Sequence, residues 1–260
     1  MNASVLRAGF LSSVQDLGRP GHRASGVSLG GALDPHALAV ANLLVGNEVA
    51  VAGIEATLGE LLIGFHDERV VSWTGGDFLV QRGGDEIPVG HPALVQAGEE
   101  LSLTAPRENG RAWLGISGGI EVPLMLGSRS TDLRSGFGGW AGRALRDGDG
   151  LPLGRPGAKS VAIATRLGRN RIGLWSGPTE WISPAPRHPF LRIVRGADWE
   201  RFAAASLEAF VEYAFTVGSE VDRMGVRLAG PLLERTRKGE LLSEAVVPGT
   251  IQVPPSGQPI

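Results

Sequence analysis

Eleven residues near the start of the chain, SVQDLGRPGHR (13–23), gather an amide, a carboxylate, an imidazole and two guanidinium groups: Gln15, Asp16, His22, Arg19 and Arg23. A strand that only filled a core has no use for them. Forked arginine donors of permanent charge suit carboxylate or phosphate, and the interleaved glycines and proline place them on a turn. Further on, Arg129, Arg134 and Arg143 surround GFGGWAG (136–142). Successive amides in such a loop make a concavity of positive potential. An anion cradle is one reading of it, and a plain surface turn is the other.

Other constellations fail their own chemical tests. GISGG (115–119) has the spacing of a serine nucleophile elbow around Ser117. Such an elbow needs a helix directly after it, and Ile120, Val122 and Pro123 are poor helix material, while only His188 lies downstream as a base. GRPGAKS (154–160) departs from a phosphate loop at both glycines, with Leu153 and Ala158 in their places. GFGGWAG follows a polar segment instead of a buried strand, so a dinucleotide fold is excluded. The five histidines show no metal-ligand spacing, and there is no cysteine for a thiolate site or a disulfide. In EVDRMGVRLAG (220–230), Asp222, Arg223 and Arg227 read from the residues alone as structural ion pairs.

Elements must position the polar residues. Thirty-nine glycines in 260 residues, with few aromatics, point to many tight turns and short strands. Strands are expected over 3–7 and 10–14, then over GELLIGF, RVVSWTG, DFLVQRG, EELSLTA, RAWLGISG and SVAIATRL, at a cadence near ten residues that marks a sandwich or barrel. RIGLW, AFTVG, GVRLAG and TIQV continue it. One helix is predicted in 30–47, capped by Asp34 with Pro35 at its first position and stopped by Gly46-Asn47. Ala37, Leu38, Ala41, Leu44 and Val45 form its buried face. A second is predicted in 197–213, capped by Asp198, with Trp199, Phe202, Leu207 and Phe210 near one face. The chain therefore reads as mainly β and two-lobed, with one principal helix per lobe: an N-terminal lobe (1–175), a Pro-rich connection (176–189) and a C-terminal lobe (190–260). A net charge of −2 gives no bulk field for nucleic acid or anionic lipid. No signal peptide or membrane span is legible, so a cytoplasmic protein is expected.

Four long motifs occur in order: SVQDLGRPGHRASGVSLGGALDPHALAVANLLVGN, LGSRSTDLRSGFGGWAGRAL, DRMGVRLAGP and SEAVVPGTIQVPPSGQPI. Together they resemble the family of the 5-oxoprolinase C subunit, also named allophanate hydrolase subunit 2 or biotin-dependent carboxyltransferase domain, across essentially the whole chain. The resemblance implies cyclophilin-like β-barrel architecture and two partners, one of the family's B type and one of its A type. It implies an ATP-dependent opening of 5-oxo-L-proline to L-glutamate, with ATP bound by this chain or with the partner. The alternatives are carboxyl transfer from carboxybiotin to urea, and a non-catalytic regulatory role exerted through the B-type partner. The family pattern continues past PPSGQPI, so an incomplete C-terminal barrel is expected, with marginal solubility and weakened activity of the chain alone.

Phosphoryl transfer to an amide oxygen asks for fixed positive charge and aligned donors. Carboxybiotin chemistry asks for the same anion site plus a base, for which Asp16, Asp77 or Asp222 would serve. The residues expected to carry the chemistry are Asp16, Arg129, Asp222 and Arg223. Gln15, Arg19, Thr74, Gly75, Asp77, Gly118, Gly119, Ser130 and Arg143 are expected to bind substrate or anion, with the glycines of TGGD and SGG bringing amides close to it. No metal is expected.

Overall fold

The computed structural model describes residues 2–105, 110–182, 190–221, 223–237, 244 and 246–260. The chain is mainly β and divides into two compact units, Met1–Arg187 and His188–Ile260.

In the first unit the chain runs β1 (Ala3–Ala8), β2 (Leu11–Gln15), α1 (Pro35–Leu44), β3 (Gly53–Thr57), β4 (Glu60–Phe65), β5 (Arg69–Gly75), β6 (Leu79–Arg82), β7 (Asp85–Glu86), β8 (Ala93–Val95), β9 (Glu100–Thr104), β10 (Arg111–Ile116), β11 (Gly150–Leu151), α2 (Ala158–Leu167) and α3 (Thr179–Ile182). All pairings are antiparallel. One sheet has the order β11-β1-β4-β9-β6-β7 and the other β2-β3-β10-β5-β8. Consecutive strands change sheet, β1 to β2 and β3 to β4, so the chain stitches the two layers together. Alternation decides which side chains go between them: in β4 Leu61, Ile63 and Phe65 are buried while Glu60, Leu62 and Gly64 are not fully so. They join Val5, Val14, Ile54, Val71, Leu103, Leu114 and Ile116 in one core.

The other face of the five-stranded sheet is covered by α1. Asp34 Oδ1 accepts from the Ala37 amide at 2.9 Å, and Pro35 begins the helix as expected. The helix sits close because the sheet beneath it is glycine: a Cβ on Gly115 would lie 2.7 Å from the Ala41 carbonyl oxygen. Thr74 Oγ1 donates to the Ala37 carbonyl at 2.7 Å. At the far end of the helix, buried Asn42 donates to the Val49 and Val51 carbonyls and accepts from Asn47, which in turn donates to the Ile116 carbonyl.

Several expected elements differ. SVAIATRL is the body of helix α2 instead of a strand, so this unit carries two ten-residue helices. Ser160, Ile163, Ala164 and Leu167 recur at helical spacing, and Ile163, Ala164 and Leu167 pack with Val45, Val70 and Leu94. RIGLW forms no strand and contributes only the bridge from Ile172 to Ala93.

In the second unit the helix expected over 197–213 is broken. A single 3-10 turn, Trp199–Arg201, is followed by extended Phe202 and Ala203 and then α4 (Ala204–Glu212). Asp198 makes no side-chain cap. Phe202 pairs instead with Arg235, and the Ala203 amide donates to the Glu234 carbonyl. A two-stranded sheet follows, β12 (Thr216–Val221) with β13 (Val226–Ala229). TIQV is not a strand among the described residues, although Gln252 and Ile260 exchange backbone hydrogen bonds. Leu233 is the one buried hydrophobic side chain of this unit among its described residues.

Candidate functional site

The polar residues after β2 are gathered with a segment more than a hundred positions away. Asp16 is 7% exposed. Its Oδ1 accepts from the Gly18 amide at 2.7 Å, from Ser128 Oγ at 2.6 Å and from Ser130 Oγ, and its Oδ2 accepts from the Arg129 amide at 2.6 Å. The Asp16 amide donates back to Ser130 Oγ at 2.9 Å. Ser128 and Ser130 of GSRS both turn their hydroxyls to this carboxylate, and Ser128 Oγ also accepts from the Ser130 amide at 2.9 Å. This carboxylate is therefore the knot that ties the 16–32 loop to 128–131. Gly18 makes the knot possible, with φ +88° and the Leu29 carbonyl oxygen 2.5 Å from where a Cβ would be.

Arg19 lies inside the same knot and is 1% exposed. Its Nη2 donates to the Ser130 carbonyl, and its Cζ stands 4.6 Å from the centroid of the Phe137 ring. Gln15, fully buried, donates from Nε2 to Ser13 Oγ at 2.9 Å and to the Thr131 carbonyl at 3.2 Å. Arg129 is half-buried; its Nε donates to the Val122 carbonyl at 2.9 Å, and only that part of its guanidinium is engaged among the described residues. Asp132 closes the cluster. Burial alone works to raise its carboxyl, but the Ser135 amide, the Ser28 hydroxyl, the Arg134 amide and the charge of Arg19 together hold it below the usual range.

Five expected residues thus converge: Gln15, Asp16, Arg19, Arg129 and Ser130. They form a buried anchor edged by one available guanidinium, suited to holding an anion. Ser128, Asp132 and Phe137 complete it and were not singled out from sequence; the alternating serines of GSRS were the available signal.

Residues 25–260 match the carboxyltransferase domain, subdomain A and B. The chain belongs to the carboxyltransferase domain family. It is 39% identical over 259 residues to the C subunit of the 5-oxoprolinase of Escherichia coli (strain K12), covering 98% of this chain and 77% of that protein. It is 35% identical over 226 residues to the urea amidolyase of Saccharomyces cerevisiae, covering 86% of this chain and 12% of that protein. Among solved structures, TTHA0988 superposes with a TM-score of 0.79 at 32% identity, over 99% of this chain and 47% of that one. The Kluyveromyces lactis urea carboxylase superposes with a TM-score of 0.74 at 29% identity, over 91% of this chain and 21% of that one. This chain spans about three quarters of the length of the bacterial relative and about half of the length of TTHA0988.

The other expected residues of this carboxyltransferase domain serve elsewhere. Thr74 is buried as the brace of α1. Gly75 and exposed Asp77 lie at the opposite end of the five-stranded sheet from Gln15, because Gly75 pairs with Ala112 while Gln15 pairs with Gly53. The amides of Gly118 and Gly119 are already committed, to Asn47 Oδ1 and to the Ile116 carbonyl, so they are not aimed at a ligand. Ser117 is 1% exposed and accepts from the Val70 amide, which disposes of the nucleophile elbow. Arg143 forks onto both oxygens of Asp149 at 2.7 Å, so it is a loop clamp and no anion receptor. That pairing pushes the Arg143 guanidinium up and, with the Arg146 amide, holds the Asp149 carboxyl down. GFGGWAG is packed against Ser130 and Thr131, with the Gly136 and Gly142 amides donating to Asp132 and Gly138 carbonyls. Arg223 is half-buried in the second unit. Asp222 and His188 lie outside the described residues. Among the described residues no group of three acidic or histidine side chains is arranged to hold a metal, and no helix is long and apolar enough to cross a membrane.

Proposed function

We propose that this chain is the C component of an ATP-dependent 5-oxoprolinase, acting with A-type and B-type partner subunits to convert 5-oxo-L-proline to L-glutamate. The observation that carries this reading is the 39% identity to the C subunit of a 5-oxoprolinase along 98% of this chain. The anchor supports it chemically. Hydrolysis of an unstrained lactam coupled to ATP needs the amide oxygen activated, and transfer of a phosphoryl group to it needs fixed cations and aligned donors more than a nucleophile. Arg129 supplies such a cation: its Nε is pinned by Val122 and its backbone by Asp16, so the remaining donors are held in one place. No glycine loop of this chain has phosphate-loop spacing, so ATP is assigned to the interface with the B-type partner.

A second reading is favoured by the 35% identity to a urea amidolyase: the chain passes a carboxyl group from carboxybiotin to urea, with Arg129 holding the carboxylate. Mixing this chain with its A-type and B-type partners and measuring glutamate released from 5-oxo-L-proline separates the two. Release that requires both ATP and this chain sustains the first reading. A well-formed complex that releases none, and instead carboxylates urea when supplied with a carboxylated biotin carrier, replaces it with the second.

A further inference from the structure

At the C-terminal end of α2 the first unit has an open groove of about 210 Å³, lined by Arg166, Leu167, Asn170, Ile172, Leu174 and Trp175. Its floor is fixed by the fold. Leu167 belongs to the small core under the helix, Trp175 packs half-buried against that core, and Ile172 is held by its bridge to Ala93. Leu174 is the contrast: it stands 89% exposed on the rim although both its neighbours are anchored, Gly173 by donating to the Pro92 carbonyl.

The charge around the groove is one-sided. Arg155, Lys159, Arg166, Arg169 and Arg171 fall in a stretch, 150–179, that contains no acidic residue. Glu48 pairs with Lys159 and Glu99 with Arg171. Arg166 and Arg169 have no ion pair among the described residues. The Arg166 Cζ lies 4.2 Å from the centroid of the Trp175 ring, a contact that fixes the guanidinium without pairing it to an acceptor. A place in the last turn of α2 suits an arginine through the helix dipole. That does not account for the apolar lining left open beside it.

Size and charge together select an occupant. Pockets that enclose small ligands run to roughly 300–1,000 Å³, so this groove is sized for one large side chain. A small ligand would also leave Leu174 in water. Tryptophan and arginine are the residues that most often anchor protein interfaces, and two unpaired arginines beside the groove call for carboxylates. We propose that this groove is a docking site for an acidic segment of another protein. One large apolar side chain of the segment enters against Trp175, Ile172 and Leu174, and flanking Asp or Glu residues pair with Arg166 and Arg169. The proposal is independent of the oxoprolinase reading.

The test uses the full chain and a fluorescein-labelled twelve-residue peptide of alternating Asp and Glu with one central leucine, followed by fluorescence anisotropy. The same peptide with central alanine should bind about tenfold more weakly or worse. Raising the salt from about 50 to about 500 mM should weaken the leucine peptide by about tenfold. Arg166→Glu and Leu174→Ser, both at exposed positions, should each cost about tenfold or more, whereas Arg146→Glu, the same charge change in the loop before β11, should cost nothing. No binding of the leucine peptide overturns the proposal. Equal binding of the alanine peptide, or binding indifferent to Arg166→Glu and Leu174→Ser, overturns the groove as the place of contact. Tighter binding of polyuridylate, or of phosphatidylserine vesicles, replaces the protein segment by a phosphate polymer or a lipid surface. Self-association in sedimentation that Leu174→Ser abolishes would give the groove to a second copy of this chain instead.

Discussion

Asp16 and Arg129 show how one short loop can hold two kinds of residue with opposite mutational signatures. Asp16 is structural: truncation strands four donors, all of them on buried or half-buried residues. Asp16→Ala should therefore lower stability by about 3 kcal/mol, read as a shift in the denaturant midpoint at unchanged slope. Arg129 is the reverse. Its backbone serves Asp16, but among the described residues its side chain makes one hydrogen bond. Arg129→Ala should cost no more than about 1 kcal/mol of stability while reducing glutamate release by the reconstituted complex about a hundredfold. A variant as active as the wild type would remove Arg129 from the chemistry. Asp16, Arg19 and Arg129 were legible in the sequence as polar residues out of place beside glycines. That Asp16 and Arg129 are bonded to each other was not, because nothing along the chain relates position 16 to position 129.

Among the elements, α1 shows what local chemistry can dictate. Its cap, its first-turn proline and its apolar face are all readable in sequence, and the helix forms where they place it. What the sequence concealed is how tightly the helix lies on the sheet. Gly115→Ala should force Ala41 away and destabilise the N-terminal unit by about 1–3 kcal/mol, measurable by urea denaturation; no change would mean that the sheet can yield there. α2 is the instructive error. SVAIATRL has β-branched residues and a length that suits either element, and short apolar runs do not settle helix against strand. Packing settled it, since only the helical spacing brings Ile163, Ala164 and Leu167 together against Val45, Val70 and Leu94. The break at Phe202–Ala203 has a similar cause: two backbone partners near residue 235 pull the chain out of the helix that its pattern proposes.

Over the whole molecule the two units differ sharply in how much apolar surface they hide. The first has an extended core, whereas in the second Phe190, Leu191, Val194, Tyr213, Met224 and Val247 are all more than 60% exposed. Limited proteolysis of the chain alone should remove the second unit and leave a resistant fragment close to 1–187, and on the proposed function a B-type partner should slow that cleavage. Equal resistance of both units would contradict this contrast. Acid should act chiefly on the first unit. Arg143 holds Asp149 below the ordinary carboxylate range, and Arg69 does the same for Asp67. A folded-state value below the unfolded one contributes stability above the unfolded value of about 3.9 and loses it as pH falls further. The melting temperature should be level above about pH 5 and drop below about pH 4. Asp149→Asn should melt lower at neutral pH and show a shallower acid fall.

The sequence by itself determined what local rules and whole-chain likeness can carry. Alternation and turn residues set a mainly β chain, Asp34 and Pro35 set where α1 begins, and four ordered motifs pointed to the carboxyltransferase domain family that residues 25–260 match. Tertiary structure alone decided which polar residues are neighbours. It joined Asp16 to Ser128, Arg129 and Ser130, sent Thr74 beneath a helix, and gave Arg143 to Asp149. It also committed the Gly118 and Gly119 amides to Asn47 and Ile116. The physical reason is that hydrogen bonds and buried charges are satisfied across the fold, by whichever partner the packed layers bring within about 3 Å, and that proximity is not written in any local stretch of chain.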